Sequence, residues 1–392
     1  MNVSAIFQRI PKSVKMAILI VVLSKLLIFG VGYAVTFANN PTSIPYTPQG
    51  TLPSTPFNIV MYEFAKPLAA QDTYHYFYIA QHWYDSNPAD DQYNFIVFFP
   101  LYPLLIKLIT FNYNYVNLSA LIVSNVSSVI ALFYLFKLTK LDFDDGVAQK
   151  AVLFLSIFPT AYFLSAPYTE GLFFALIIAS LYYARLGKWP IAGVLSFLAA
   201  LTRLGGLLML PVLLVEYLHQ KGWKPRKIVN LNLLWICLAA AGFLVYLGIN
   251  YQVTGDAFKF VTIERVHWFS TLDPIKGLTS AYNVALTWSY PSSLLLGVAP
   301  IVFAAFGLAM IIFGVYRRFR PSYLVCMLLS WMLAVAYSWW ISPPRYVMAM
   351  FPMFILMGTF TSKKVVNIAI AAFSIGLLCY FTALFSLGYT VF

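Results

Sequence analysis

Residues 16–37 read MAILIVVLSKLLIFGVGYAVTF, a run of 22 residues with Lys25 as its one charged side chain. As a helix rising about 1.5 Å per residue it spans roughly 33 Å, enough to cross the ~30 Å apolar core of a bilayer. The run is too long for a signal-peptide core, and no small-residue cleavage site follows it, so it is expected to be a retained helix. The rest of the chain is written the same way. Of 392 residues, 61% are apolar and only 10% charged, and the mean hydropathy is +0.78. A soluble domain of this length needs far more charge to cover its surface. The composition therefore excludes a soluble enzyme, a nucleic-acid binder and a disordered protein.

Spanning helices are expected near residues 16–37, 116–138, 147–164, 169–186, 189–202, 204–218, 228–251, 293–316, 323–341, 345–360 and 365–387, about eleven crossings in a single integral membrane domain over residues 1–392. The formal net charge of +12 would suit a nucleic-acid partner, but the basic residues stand in short clusters between apolar runs, which is how membrane topology is written. With the N-terminus in the cytoplasm and the sides alternating, 17 of the 25 basic residues fall inside and 7 outside, while 9 of the 13 acidic residues fall outside. A wrong helix count would scramble that separation. Cys237, Cys326 and Cys379 all lie in apolar runs and read as small core residues rather than a disulfide framework or metal cluster.

The segments 189–202 and 204–218 are short of a full crossing, and Arg203, Gly205 and Gly206 mark the break between them. Such a pair implies a recess in the outer half of the membrane, since broken helices at that depth are tolerated where they line protein or a water-filled cavity. Two outer loops are long. Residues 38–115 contain NFIVFFPLYPLLIKLI, whose Pro100 and Pro103 favour an interfacial or re-entrant segment over a crossing; residues 252–292 carry Glu264, Arg265, His267 and Trp268. No internal repeat of the kind found in transporter halves is visible.

The segment 71–86, QDTYHYFYIAQHWYDS, carries the densest polar chemistry. As a helix it places Asp72, His75, Ile79 and His82 on one face. A carboxylate flanked by imidazole and tyrosines at a membrane surface can take a proton from a hydroxyl. The same face also fits the polar side of an interfacial helix with an aromatic belt. One carboxylate and two histidines invite a metal reading, but their spacing matches no metal signature, so no metal and no cofactor is expected. Arg345, in ISPPRYVMAMFPMF, opens a helix that Ser342 can cap. A cation there opposes the helix dipole, so it is either an anion site built with free N–H groups or a headgroup anchor. Arg203 has the same two readings. Glu170, in APYTEGLFF, sits favourably at a helix start. Lys25 either snorkels or pairs with Glu216.

In their order, these segments resemble the PIG-V-like branch of the GT-C glycosyltransferases, polytopic enzymes that move mannose from a polyprenyl-phosphate carrier. The resemblance rests on Asp72 through Ala80 followed by Phe98-Phe99-Pro100-Leu101-Tyr102-Pro103-Leu104-Leu105, then Pro167-Tyr168-Thr169-Glu170, Leu201-Thr202-Arg203, and Pro344-Arg345-Tyr346 with Phe351-Pro352. It covers most of the chain from Asp72 to Phe354; where the family usually has Trp before the acid, this chain has Gln71. The resemblance implies an all-α GT-C-like membrane fold and mannose (hexose) transfer to a lipid-linked glycan or similar acceptor, such as a GPI-like glycolipid, at the non-cytoplasmic face. The membrane would be the plasma membrane of a prokaryote or the endoplasmic reticulum of a eukaryote. It implies Asp72 as the catalytic base, with His75, Tyr168, Glu170, Arg203, Arg265, His267, Arg345 and Tyr346 binding substrate. Arg345, helped by Arg203 and Arg265, would hold the carrier phosphate. The partners so implied are a polyprenyl-phosphate sugar donor, a glycolipid or glycan acceptor and membrane lipid, with no nucleic acid. A transporter or flippase of a lipid-linked sugar is the rival reading, and a receptor or scaffold would need neither Asp72 nor the paired arginines.

Overall fold

The structure is a computed structural model, and it describes residues 11–39, 66–84, 92–110, 115–224, 230–360 and 364–392. Glu63, Asp85, Asp90 and Asp91, in the segment 38–115 expected as the first outer loop, lie outside those residues.

Among the described residues the chain is helical, without strands. In order come α1 (Lys12–Asn39), α2 (Thr73–His82), α3 (Leu101–Ile109), α4 (Val116–Thr139), α5 (Asp145–Ser156), α6 (Glu170–Arg185), α7 (Trp189–Ala200), α8 (Met209–Gln220), α9 (Leu238–Thr254), α10 (Lys259–Val266), α11 (Pro274–Thr287), α12 (Ala299–Tyr316), α13 (Pro321–Val335), α14 (Pro343–Met348), α15 (Pro352–Thr359) and α16 (Lys364–Ser386). Four helical stretches are long and apolar enough to cross a bilayer by themselves: Lys12–Asn39, Val116–Thr139, Ser293–Tyr316 and Lys364–Ser386. The helices α1 and α16 pack together and turn much of their surface outward, with Leu26, Val365 and Phe373 more than 60% exposed. Apolar surface of this extent is lipid-facing. The chain is an all-α integral membrane protein.

Elsewhere the expected crossings are made of pieces. Residues 147–164 were expected to run as one helix, but α5 stops at Ser156 and a 3-10 turn, Ala161–Leu164, follows; Pro159 lacks the N–H that would continue the ladder. Residues 345–360 divide into α14 and α15, and Pro352 opens the second piece. The short pair is α7 and α8, joined by Arg203 in extended conformation and the 3-10 turn Leu204–Leu208.

At the centre stands α6. Nearly every residue from Glu170 to Ala184 is buried, which is what a helix apolar on all sides requires. Its contact with α4 is close because Gly171 has no Cβ: one built there would lie 2.5 Å from the Ser124 carbonyl oxygen. At about 1.5 Å per residue, α6 separates two charged clusters by roughly 24 Å. Glu170 begins it. Arg185 ends it, paired bidentately with Asp142 at 2.6 and 2.7 Å beside Glu216, Arg320 and Tyr323.

That far cluster corrects one expectation. Lys25 does not pair with Glu216. The Lys25 ammonium donates to the Leu164 carbonyl at 2.8 Å and the Ser165 hydroxyl at 2.9 Å, while Glu216 is already held by Arg320, Ser322 and Gln220. The cysteines divide as well: Cys326 is buried, but Cys237 is exposed, on an outward face of the apolar surface rather than in the core.

Candidate active site

The chain between Gln71 and Thr73 is the first component. Gln71 adopts a positive φ of 56°, which turns the backbone so that Asp72 precedes α2 instead of lying within it. Asp72 makes no side-chain cap bond, so its carboxylate stays available to the space above α2. The Tyr168 hydroxyl accepts the Asp72 backbone N–H at 3.1 Å and donates to the Ala70 carbonyl at 2.9 Å, and Tyr168 itself is fully buried.

The single helical face expected for Asp72, His75, Ile79 and His82 divides in the fold. Ile79 is buried and His82 is exposed against Tyr78. His75 stacks on Phe98 at 4.5 Å and meets Trp268 edge-on. Burial lowers the His75 imidazole below its ordinary range, against a smaller upward pull from Asp72, so the ring is neutral near pH 7. Among the described residues no three His, Cys, Asp or Glu side chains converge on one point.

The second component is an ion cluster from three distant parts of the chain. Glu170, 1% exposed, ion-pairs with Arg203 and, at 2.5 Å, with Arg345 Nε. Arg345 Nη1 lies 3.5 Å from Asp72 Oδ2 and also reaches the Phe392 carbonyl. The Arg345 guanidinium sits over the rings of Phe163 and Tyr168 at 5.0 and 5.3 Å, and that of Arg203 over Tyr346 at 5.2 Å. The helix-start account of Arg345 is corrected here. Its helix has only six residues, Ser342 makes no side-chain cap, and two carboxylates rather than an empty N-terminus define its surroundings. With two cations and two anions the cluster is neutral, as burial at this depth demands.

Asp72, Arg203 and Arg345 line a cavity of about 260 Å3 with Tyr76, Glu264, Trp268, Tyr337 and Tyr346 among its walls. Trp268 Nε1 and Glu170 Oε2 are buried there or beside it without hydrogen-bond partners among the described residues, and such atoms are what a polar ligand satisfies. The break between α7 and α8 puts Arg203 at the cavity wall, and the Leu101 N–H ties the start of α3 to the Leu201 carbonyl at 3.0 Å. Of the other expected site residues, Tyr168 lies behind the wall, and Arg265, which is exposed, and His267 do not line the cavity. Glu264, named from the sequence as one of four residues of segment 252–292 but given no role there, does line it. A carboxylate in a polar loop looks ordinary until the fold turns it to a cavity.

Fold and site together define an integral membrane protein with ionisable groups collected in one cavity at one end of a helical bundle. No family model matches the chain. Over 91 residues it is 36% identical to GPI mannosyltransferase 2 of Yarrowia lipolytica, a stretch covering 23% of this chain and 26% of that protein. Among solved structures it is similar to the oligosaccharyltransferase of Archaeoglobus fulgidus tethered with an acceptor peptide (TM-score 0.47, 14% identity, 96% of this chain and 55% of that chain). A second is archaeal AglB of the same organism in complex with an inhibitory peptide and a dolichol-phosphate (TM-score 0.45, 13% identity, 95% and 55%). The chain spans just over half the length of those structures.

Proposed function

We propose that the chain is a GT-C type glycosyltransferase that moves mannose, or a related hexose, from a polyprenyl-phosphate donor to a lipid-linked glycan or similar acceptor on the non-cytoplasmic face. The observation that carries the reading is the meeting, in one cavity, of a carboxylate open to a ligand with two guanidiniums suited to a phosphate. The 91-residue match to a protein named as a GPI mannosyltransferase supports it.

The chemistry follows from those groups. Asp72 accepts the proton of the acceptor hydroxyl as that oxygen forms a bond to the anomeric carbon. The bond from the anomeric carbon to the phosphate oxygen breaks, and its electron pair leaves on polyprenyl phosphate. Attack opposite the leaving group inverts the configuration of a β-linked donor. Arg345 and Arg203 oppose the charge growing on the leaving phosphate, where fixed guanidiniums act more strongly than in water. Planar guanidinium forks also suit bidentate phosphate contact. The scheme uses arginine charge alone and no divalent ion.

Purified protein in lipid nanodiscs is given polyprenyl-phosphate mannose and glycolipid acceptors, and the expected result is transfer that Asp72→Asn reduces about 10²–10⁴-fold, as loss of a general base does. Normal transfer by a folded Asp72→Asn protein, or no turnover of any such donor by the intact one, overturns the reading.

A further inference from the structure

The cavity holds a third carboxyl, Glu264, contributed by α10 of the second outer loop. The four other charged groups of the site have partners: Glu170 with Arg203 and Arg345, and Asp72 with Arg345. Glu264 has no hydrogen-bond or ion-pair partner for its side chain among the described residues, although it opens on the same space as Asp72. We propose that Glu264 is a ligand-binding residue of this cavity, presenting a carboxylic O–H that donates a hydrogen bond to an oxygen of an anionic, phosphate-bearing ligand. This rests on the function proposed above and adds to it a named contact and a condition on its charge.

Charge bookkeeping favours the protonated form. Arg203 and Arg345 against Glu170 and Asp72 sum to zero, so an ionised Glu264 would make the empty site an anion and repel phosphate. Glu264 opens on the same space as the Asp72 carboxylate, and a second negative charge there is disfavoured. Burial raises the Glu264 carboxyl to about 7, and the Asp72 charge acts in the same direction.

Among the described residues no guanidinium or ammonium forms an ion pair with Glu264. Across the cavity stand Asp72, Arg203 and Arg345 with the phenols of Tyr76, Tyr337 and Tyr346. From α9, packed against α10, comes the Tyr246 phenol, whose hydroxyl is already donated to the Ile96 carbonyl at 2.7 Å. The neighbouring turn contributes Phe95, Ile96 and Val97, and on α10 itself Lys259 and Arg265 lie away from the cavity wall. The neutral form therefore predominates at about pH 6 and is lost as pH rises through about 7.

The test has two readouts, neither of which requires sugar transfer. In infrared difference spectra of protein in nanodiscs, the stretch of a protonated carboxylic acid is expected at about pH 6, lost at about pH 8.5 and absent from E264Q. Polyprenyl phosphate is the binding probe. Wild-type affinity is expected to fall about tenfold or more between those pH values, as a charge-assisted hydrogen bond is lost. E264Q, which keeps an N–H donor and cannot ionise, is expected to bind more weakly than the wild type at the lower pH but with little dependence on pH. E264A is expected to be weaker still. The inference is overturned by a missing acid band at the lower pH, by E264A binding as the wild type does, or by a pH dependence that persists unchanged in E264Q. If mannose transfer fails while both readouts behave as stated, the reaction assignment falls and the Glu264 site stands.

Discussion

The Tyr168 hydroxyl sits between the two ends of the turn that carries Asp72, taking the Asp72 N–H at 3.1 Å and giving its proton to Ala70 at 2.9 Å. Removing that oxygen leaves the Asp72 N–H unsatisfied, worth ~1–3 kcal/mol, while the Ala70 carbonyl keeps the Thr73 hydroxyl at 2.8 Å. Tyr168→Phe is expected to lower the turnover number about tenfold or more while donor affinity changes little, because the phenol supports the carboxylate from behind the cavity wall. Kinetics that separate kcat from KM check this, and a change confined to KM would assign Tyr168 to ligand contact instead.

Arg345 is shared by Glu170 and Asp72, so its replacements test charge and geometry together. Arg345→Gln is expected to weaken donor binding about 10²-fold, equivalent to ~3 kcal/mol. Arg345→Lys is expected to keep part of that affinity, since one ammonium cannot reproduce a planar fork. Calorimetry with polyprenyl phosphate measures both, and equal affinities across the series would make Arg345 a structural cation only.

Glu170 is the buried anion that keeps Arg203 and Arg345 from facing each other uncompensated. Breaking a buried ion cluster from one side typically costs ~3–5 kcal/mol. Glu170→Gln is therefore expected to unfold at a markedly lower temperature in detergent. Adding Arg203→Gln is expected to restore part of the loss. A single variant that melts with the wild type would show that the guanidiniums tolerate one another.

His75 makes stability depend on pH. Its folded pKa lies below the unfolded value of about 6.5, because burial disfavours the imidazolium. The unfolded chain therefore takes up the proton first, and the stability contributed by the neutral ring above that pH is lost as pH falls through it. His75→Phe keeps the stacking on Phe98 and has nothing to protonate, so its melting temperature is expected to fall less than that of the wild type between about pH 7 and pH 5. Parallel thermal scans at the two pH values decide it.

How much of this was legible in the sequence depends on what each residue stands among. An ionisable side chain inside an apolar run is conspicuous, so Lys25, Glu170, Arg203 and Arg345 could be picked out one by one. Their partners could not. Glu170 meets Arg203 and Arg345 only after helices far apart in sequence pack, and periodicity is silent about such contacts. The same limit left Lys25 between snorkelling and Glu216, when Leu164 and Ser165 supply its acceptors. Glu264 was named but given no role for the opposite reason: in a stretch rich in polar residues, an acid that folding turns to face a cavity looks like any other. The helix breaks at Pro159 and Pro352 were visible as prolines, but apolar length outweighed them.

The anchoring of Lys25 has a consequence for synthesis. Its acceptors, Leu164 and Ser165, come 139 and 140 residues later. At ~5–20 residues per second, the ribosome takes on the order of ten seconds to make them. Throughout that interval the first helix carries an ammonium that costs ~2.5–3.5 kcal/mol at the bilayer centre. The helix must then linger beside the insertion machinery, or ride displaced toward an interface, until the 156–165 turn arrives to receive it. The Lys12–Asn39 helix is thus a late arrival in the finished bundle, and nascent chains halted before residue 164 should leave it extractable.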